Sequence, residues 1–220
     1  MGGVTKTFKA KLKIICLLLL LVAGLLSSYG EAEPFIYFSG QEQEKLDKIA
    51  NAEPSQTLST FGNSITLDIC YDVLSSLTNR LQFRDLVLKA AQNCGAFADK
   101  LLETSPSNGY APIISAYRHG LNNNINSALL HLENSRAASP STMWLASLRL
   151  KQLRELQYST VDFSPYRPDL DIITLGMTAK GRSWLSDWFK GDSKFRQLLK
   201  SAALRLPPAE QAAFLRSLQR

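Results

Sequence analysis

Ser105-Pro106-Ser107, with Tyr110 three residues on, and Ser139-Pro140-Ser141, with Trp144 three residues on, are one pattern written twice at a spacing of 34 residues. A serine ahead of a proline suits the start of a helix: the hydroxyl accepts an orphan amide, and the fixed φ of proline fits the first turn. Between the two copies, Tyr110, Ile113, Ile114, Tyr117 and Leu121 recur at helical spacing, and so do Ile125, Ala128, Leu129 and Leu132 beyond the turn Asn122-Asn123-Asn124. The repeated unit is therefore two helices, expected at about 109–121 and 124–137, joined by a polar turn. A period of this length is that of a helix-turn-helix repeat, whose units stack because neither buries its apolar face alone.

Upstream, a helix over about 64–81 places Cys70, Leu74, Leu77 and Leu81 on one stripe with Val73 beside it. A second, over about 84–102, places Val87, Ala90, Ala91, Cys94, Ala98 and Leu101 together. The chain turns near Gln82 and Phe83, with Cys70 and Cys94 about twelve residues to either side. Equal distances from the turn of an antiparallel hairpin put two residues at one height, so Cys70 is expected to face Cys94 and to bond with it. Ala90, Ala91, Gly95 and Ala98 are small enough for a close approach of the two helices.

Downstream of the second Ser-Pro-Ser, a fifth helix to about 157 is apolar on more than one side through Trp144, Leu145, Ala146, Leu148, Leu150, Leu153 and Leu156, which reads as burial between neighbours. Residues 159–168 form a connector. Three helices follow, over 169–189 and broken or bent near Gly176 and Gly181, over 193–206 and over 208–218. They have no 34-residue match upstream and are expected to cap the open end of the stack. No window alternates as a strand, so the class is all-α: stacked antiparallel hairpins in a short solenoid, closed by a C-terminal helical cap.

The chain of 220 residues opens with Lys6, Lys9, Lys11 and Lys13 and no acid, then runs apolar or small from Ile14 to Leu26. This is an export signal. A core of about 13–16 residues is short for a membrane span of roughly 20, and Ser28, Gly30 and Ala32 allow cleavage near 30–32. Snorkelling lysines and an interfacial Pro34-Phe35-Ile36-Tyr37-Phe38 would instead retain the segment as an anchor. Both alternatives put the remainder across the membrane, in a periplasm if the source is bacterial, because the lysines stay on the cytoplasmic side. The organisation is then a leader or anchor over 1–32, a tether with a short polar helix over 33–63, the hairpins over 64–158 and the cap over 159–220.

The hairpins resemble tetratricopeptide-type repeats. Small residues are needed where the two helices of a unit cross, and Ala116, Ala128 and Pro140 follow one another at twelve-residue intervals, as do Cys94 and Pro106. Gln82 stands where the earlier unit should carry a small residue, so the resemblance, over about residues 65–150, is full in one unit and partial in the other. It implies a scaffold that binds other proteins. Exported helical-repeat proteins of this size also resemble, in organisation, accessory subunits of bacterial envelope machines, including those that assemble or secrete surface polysaccharide.

Chemistry is not visible in the chain. His119 and His131 lack a third ligand at metal-binding spacing, Thr178-Ala179-Lys180-Gly181-Arg182 lacks a phosphate-loop glycine pattern, and neither Cys70 nor Cys94 has a histidine neighbour. Acid pairs such as Glu42 with Glu44 and Asp169 with Asp171 read as solvated. The net charge of +6 falls to about +3 without residues 1–32, and the nine Lys and Arg against three acids over 180–220 read as solvated helix faces. Export argues against nucleic acid. Trp184, Trp188 and Phe189 beside Lys180, Arg182 and Lys190 fit either a lipid surface or packing of the cap, and packing is the expectation. No enzyme and no cofactor is expected, and the partner is expected to be an envelope protein. Helix faces not needed for stacking, around Tyr110, Tyr117, Asn122 to Asn126 and Arg149 to Arg154, are expected to line or flank the concave surface. Aromatic and arginine side chains anchor such interfaces, so Tyr110, Tyr117, Arg118 and Arg149 are the expected partner-binding residues. An envelope glycan-binding protein or hydrolase, or a peripheral protein acting through the basic C-terminal region, are the alternatives.

Overall fold

In the computed structural model the described residues are 3–37, 39–156, 163, 165–191 and 193–218. Among them the chain is all-α. In chain order the helices are α1 (Gly3–Tyr37), α2 (Glu42–Asn51), α3 (Thr60–Ser75), α4 (Leu77–Gln82), α5 (Arg84–Thr104), α6 (Ala111–Leu121), α7 (Ile125–Ala138), α8 (Met143–Glu155), α9 (Pro168–Gly176), α10 (Ala179–Gly191), α11 (Ser193–Ala203) and α12 (Pro208–Leu218). Residues 159–162 and 164 of the connector expected over 159–168 lie outside the described residues, as do the side chains of Lys6, Lys9, Lys11 and Leu218.

The 34-residue period is present in the helix ends. α5 and α7 stop at Thr104 and Ala138, and α6 and α8 at Leu121 and Glu155. The repeated serines close helices instead of opening them, which corrects the capping read from sequence. Ser105 (φ −140°, ψ 71°) and Ser139 (φ −145°, ψ 68°) share one backbone conformation, and their amides donate to Leu101 O and Ser135 O. α6 starts later, where Asn108 Oδ1 accepts from the amides of Tyr110 and Ala111 at 2.9 and 3.0 Å. Thr142 precedes α8. The Ser-Pro pair marks the period because proline stops the previous helix from continuing.

The single helix expected over 64–81 is two. Ser59 caps α3 by accepting from the Gly62 amide at 3.0 Å. Ser76, extended at φ −64°, ψ 116°, ends it and in turn caps α4 by accepting from Asn79. The offset turns Leu77 and Leu81 off the apolar stripe, leaving them 65% and 76% exposed. Cys70 and Cys94, both fully buried, nonetheless meet as expected and form a disulfide with Cα atoms 5.8 Å apart. Ala90, Ala91 and Ala98 are buried against it. Gly95 serves another neighbour: a Cβ there would lie 2.4 Å from Arg118 Cδ, so its absence lets the Arg118 side chain cross α5.

Two apolar clusters make the core. The first joins α2, α3, α5 and α6 through residues such as Leu46, Ile49, Leu67, Phe97 and Ile113. It corrects the reading of 33–63 as a tether, because α2 buries Leu46 and Ile49 completely and the Asn93 amide donates to Ile49 O at 2.7 Å. The second cluster runs from Ala116 and Ala128, where α6 crosses α7, through Leu150 and Leu153 of α8 to Ile172, Leu185, Phe195 and Phe214 of the C-terminal helices. The break or bend expected near Gly176 and Gly181 is a break, which divides the helix expected over 169–189 into α9 and α10. A Cβ on Gly181 would lie 2.2 Å from Leu175 O, so only glycine lets the chain double back there. Trp184 and Trp188 pack on this cluster, 4.0 Å apart by ring centroids, with Trp188 edge-on to Phe195 at 4.9 Å.

α1 stands differently. From Lys13 to Tyr29 it is exposed throughout, with Leu17, Leu20 and Leu26 67%, 73% and 69% exposed. Only its far end meets the domain. Glu31 Oε1 accepts from the Ser59 amide at 2.8 Å, Pro34 is buried, and the Phe35 and Phe61 rings lie 6.0 Å apart.

Candidate functional site

Three of the four expected partner-binding residues belong to the interior. Tyr110 and Tyr117 are 6% and 3% exposed, and Arg149 is wholly buried. The tyrosines pack edge-on to neighbours, Tyr117 to Tyr71 at 5.6 Å and Tyr110 to Trp144 at 4.9 Å. They join α3, α6 and α8, which is why an aromatic recurs every 34 residues at this point of the repeat. Burial pushes the hydroxyls of both well above the usual phenol range. Arg118 stays near the surface but crosses Gly95 to Asp99 Oδ2 at 2.8 Å. Asp99 Oδ1 also accepts from Ser115 at 2.9 Å.

Arg149 is the centre of a buried polar chain. Its Nε and Nη2 donate to Asp171 Oδ2 and Oδ1 at 2.8 and 2.6 Å, and its Nη1 donates to Ser135 Oγ at 3.1 Å. Tyr166 Oη donates to Asp171 Oδ2 at 2.5 Å, and Ser135 Oγ donates to Gly109 O at 2.5 Å. Asp171, expected in solvent, is fully buried. Asp169 is paired with Arg167 and Arg205, and although partial burial opposes it, these two guanidinium groups hold its carboxyl below the usual range. The ion pair therefore joins α8 to α9 and is structural.

His119 and His131 stack across α6 and α7, with ring centroids 5.0 Å apart and planes within 14°. Burial pushes both below the ordinary imidazole value near 6.5; Arg118 adds to this at His119, and His119 adds to it at His131, against the opposing charge of Asp99. The unfolded chain thus binds protons at higher pH than the folded one. The stability these rings contribute is complete above the ordinary value and is lost as pH falls through their lowered folded values. In thermal melts followed by circular dichroism, acidification below about pH 6.5 is expected to lower the midpoint more in the wild type than in a His119→Gln/His131→Gln double variant. Parallel pH profiles would refute it.

A cavity of about 220 Å³ opens where α4, α6 and the end of α8 converge on the α6–α7 turn. Arg80, Tyr117, Asn123, Gln152 and Glu155 supply its polar wall, and Leu121, Ile125 and Leu156 its apolar one. Asn123 adopts φ 58° at the rim, a left-handed turn conformation that asparagine tolerates. Arg80 Nη1 pairs with Glu155 Oε2 at 3.0 Å and Nη2 donates to Ser75 O at 3.0 Å. Burial raises the Glu155 carboxyl above the usual range, and Arg80 opposes the rise. Three buried polar atoms have no hydrogen-bond partner among the described residues: Arg80 Nε and both Gln152 Nε2 and Oε1. All three belong to residues of this cavity, whose Tyr117 hydroxyl interacts with Tyr71 and Glu155.

Protein-family models, curated proteins and solved structures contain no match to the chain.

Of the four expected anchors, the cavity takes in Tyr117 alone; Asn123, Ile125 and Gln152 fall within the stretches 122–126 and 149–154 expected to line or flank the concave surface, and Arg80 was not anticipated. The available signal was Gln152 itself, an uncharged polar residue between Arg149 and Leu153 on the apolar side of α8. Chemically the cavity can hydrogen-bond a small molecule, and Arg80 and Glu155 largely neutralise each other within it.

Proposed function

We propose that the chain is a membrane-tethered adaptor whose domain lies outside the cytoplasm and holds an envelope protein by binding alone. On this reading α5 with α6 and α7 with α8 act as tetratricopeptide-like hairpins, α9 to α12 cap them, and the partner is a subunit of an envelope machine such as one that assembles or exports surface polysaccharide. The observation that carries the tether is α1, exposed from Lys13 to Tyr29 yet joined to the domain at Glu31, Pro34 and Phe35. The Cys70–Cys94 disulfide supports an oxidising compartment. Since Tyr110, Tyr117 and Arg149 are interior, the partner surface moves to α4, where Leu77 and Leu81 lie one turn apart and face solvent.

The experiment places a photo-crosslinking residue at position 78 of the tagged full-length chain in cells. The expected result is a small set of envelope proteins, lost in a Leu77→Glu/Leu81→Glu variant that keeps its helical circular dichroism. Recovery of the chain alone, or an unchanged set from the variant, would rule the surface out. A C-terminal alkaline phosphatase fusion reports the compartment: an active reporter is expected, and an inactive one places the domain in the cytoplasm.

A further inference from the structure

The cavity beside Gln152 has features that the adaptor reading does not use. Native interiors pair nearly all their buried polar atoms, and each exception asks for a cause. Here the exceptions belong to two residues that line one space: Arg80 Nε and both ends of the Gln152 amide. Gln152 and Tyr117 are 1% and 3% exposed. A glutamine with neither end satisfied costs stability in the free protein, and such a cost is characteristic of a group kept for a ligand.

From the chemistry of these atoms we infer that the cavity binds a small neutral polyol of monosaccharide size. Charge sets the first limit. Arg80 is already paired with Glu155 at 3.0 Å and bonded to Ser75 O, so the space offers no free charge of either sign. The second limit is the mixture of functions. The Gln152 amide presents an acceptor beside a donor, Tyr117 Oη serves as either, and Arg80 Nε donates. A hydroxyl group is itself donor and acceptor, and two adjacent hydroxyls satisfy both ends of a planar amide. Leu121, Ile125 and Leu156 give the C–H faces of such a ring an apolar wall. Size is the third limit: about 220 Å³ is below the roughly 300–1,000 Å³ of drug-sized pockets and admits one ring.

The test uses the full chain in nanodiscs, since a glycoside detergent would itself compete. Saturation-transfer NMR is run with D-glucose, D-galactose, D-mannose and myo-inositol as probes, and with glutamate as a charged control. Transfer to at least one neutral probe, with an affinity near millimolar or tighter, is expected. Gln152→Met keeps the shape of the side chain and removes the unpaired amide. It is expected to weaken binding by about tenfold or more while the free variant melts no lower than wild type. Tyr117→Phe should weaken binding in the same direction. Absence of transfer from every neutral probe would mean that water alone fills the cavity and would overturn the inference, as would transfer confined to glutamate. Undiminished transfer in both variants would do the same. None of these outcomes depends on whether an envelope protein crosslinks to α4.

Discussion

Arg149→Ala is expected to destabilise the fold by about 3–5 kcal/mol, the cost of leaving one partner of a buried ion pair alone. Asp171 would be left in a site with no solvent, retaining only the Tyr166 hydroxyl of its described donors. Ser135 would lose the donor it accepts from but keep its own bond to Gly109 O, so the damage centres on α9. Urea denaturation followed by circular dichroism measures the loss. The informative companion is Arg149→Met with Asp171→Leu, which removes both charges at similar volume. Exchanging a buried pair for apolar side chains is often neutral or stabilising, so the double variant is expected to recover most of the loss, less about 1–3 kcal/mol for the orphaned Tyr166 hydroxyl. A single variant within about 1 kcal/mol of wild type would show that water reaches the pair and that α8 does not sit against α9 as described.

Removing the disulfide comes next in size. Cys70 and Cys94 are 24 residues apart, and closing a loop of that length stabilises by about 3 kcal/mol in the chain-entropy model. Cys70→Ala/Cys94→Ala is expected to lose about that much, with a smaller addition for the space left by two sulfur atoms in the α3–α5 contact. Wild-type protein under strong reductant separates the two contributions, because it loses the crosslink and keeps the sulfurs. Thiol titration of the denatured full-length chain without reductant should count one thiol, from Cys16, which is free and exposed. Three reactive thiols would show the bond to be absent and remove the compartment argument along with it.

These two predictions also mark how far the sequence could be read. The disulfide followed from it because both cysteines lie on apolar stripes at equal distance from a turn, and helix periodicity is local. Most of the helices from α5 onward, the all-α class and the packing of Trp184 and Trp188 were legible for the same reason. The break at Ser76 was not: Leu77 and Leu81 continue the apolar spacing past it, and only the capping geometry of a serine in extended conformation turns them outward. Arg149 was misplaced because its partner lies 22 residues away across a connector, and an arginine with a hidden partner has the same local spelling as one that faces a ligand. Gln152 and Arg80 illustrate the limit for the cavity. They come from α8 and α4, and nothing in either helix shows that the other converges on the same space.

The hydrogen-bond chain through Arg149 has a consequence for anyone who wants to divide the protein. The connector after α8 invites a cut that would separate hairpins from cap. Yet Tyr166 and Asp171 lie on one side of that cut, and Arg149, Ser135 and Gly109 on the other. A fragment ending there would carry a bare guanidinium in its interior, and the discarded piece a bare carboxylate. The cap is thus less a lid on a finished repeat array than the second half of one cooperative folding unit, and the seam that composition suggests is among the worst places to open it.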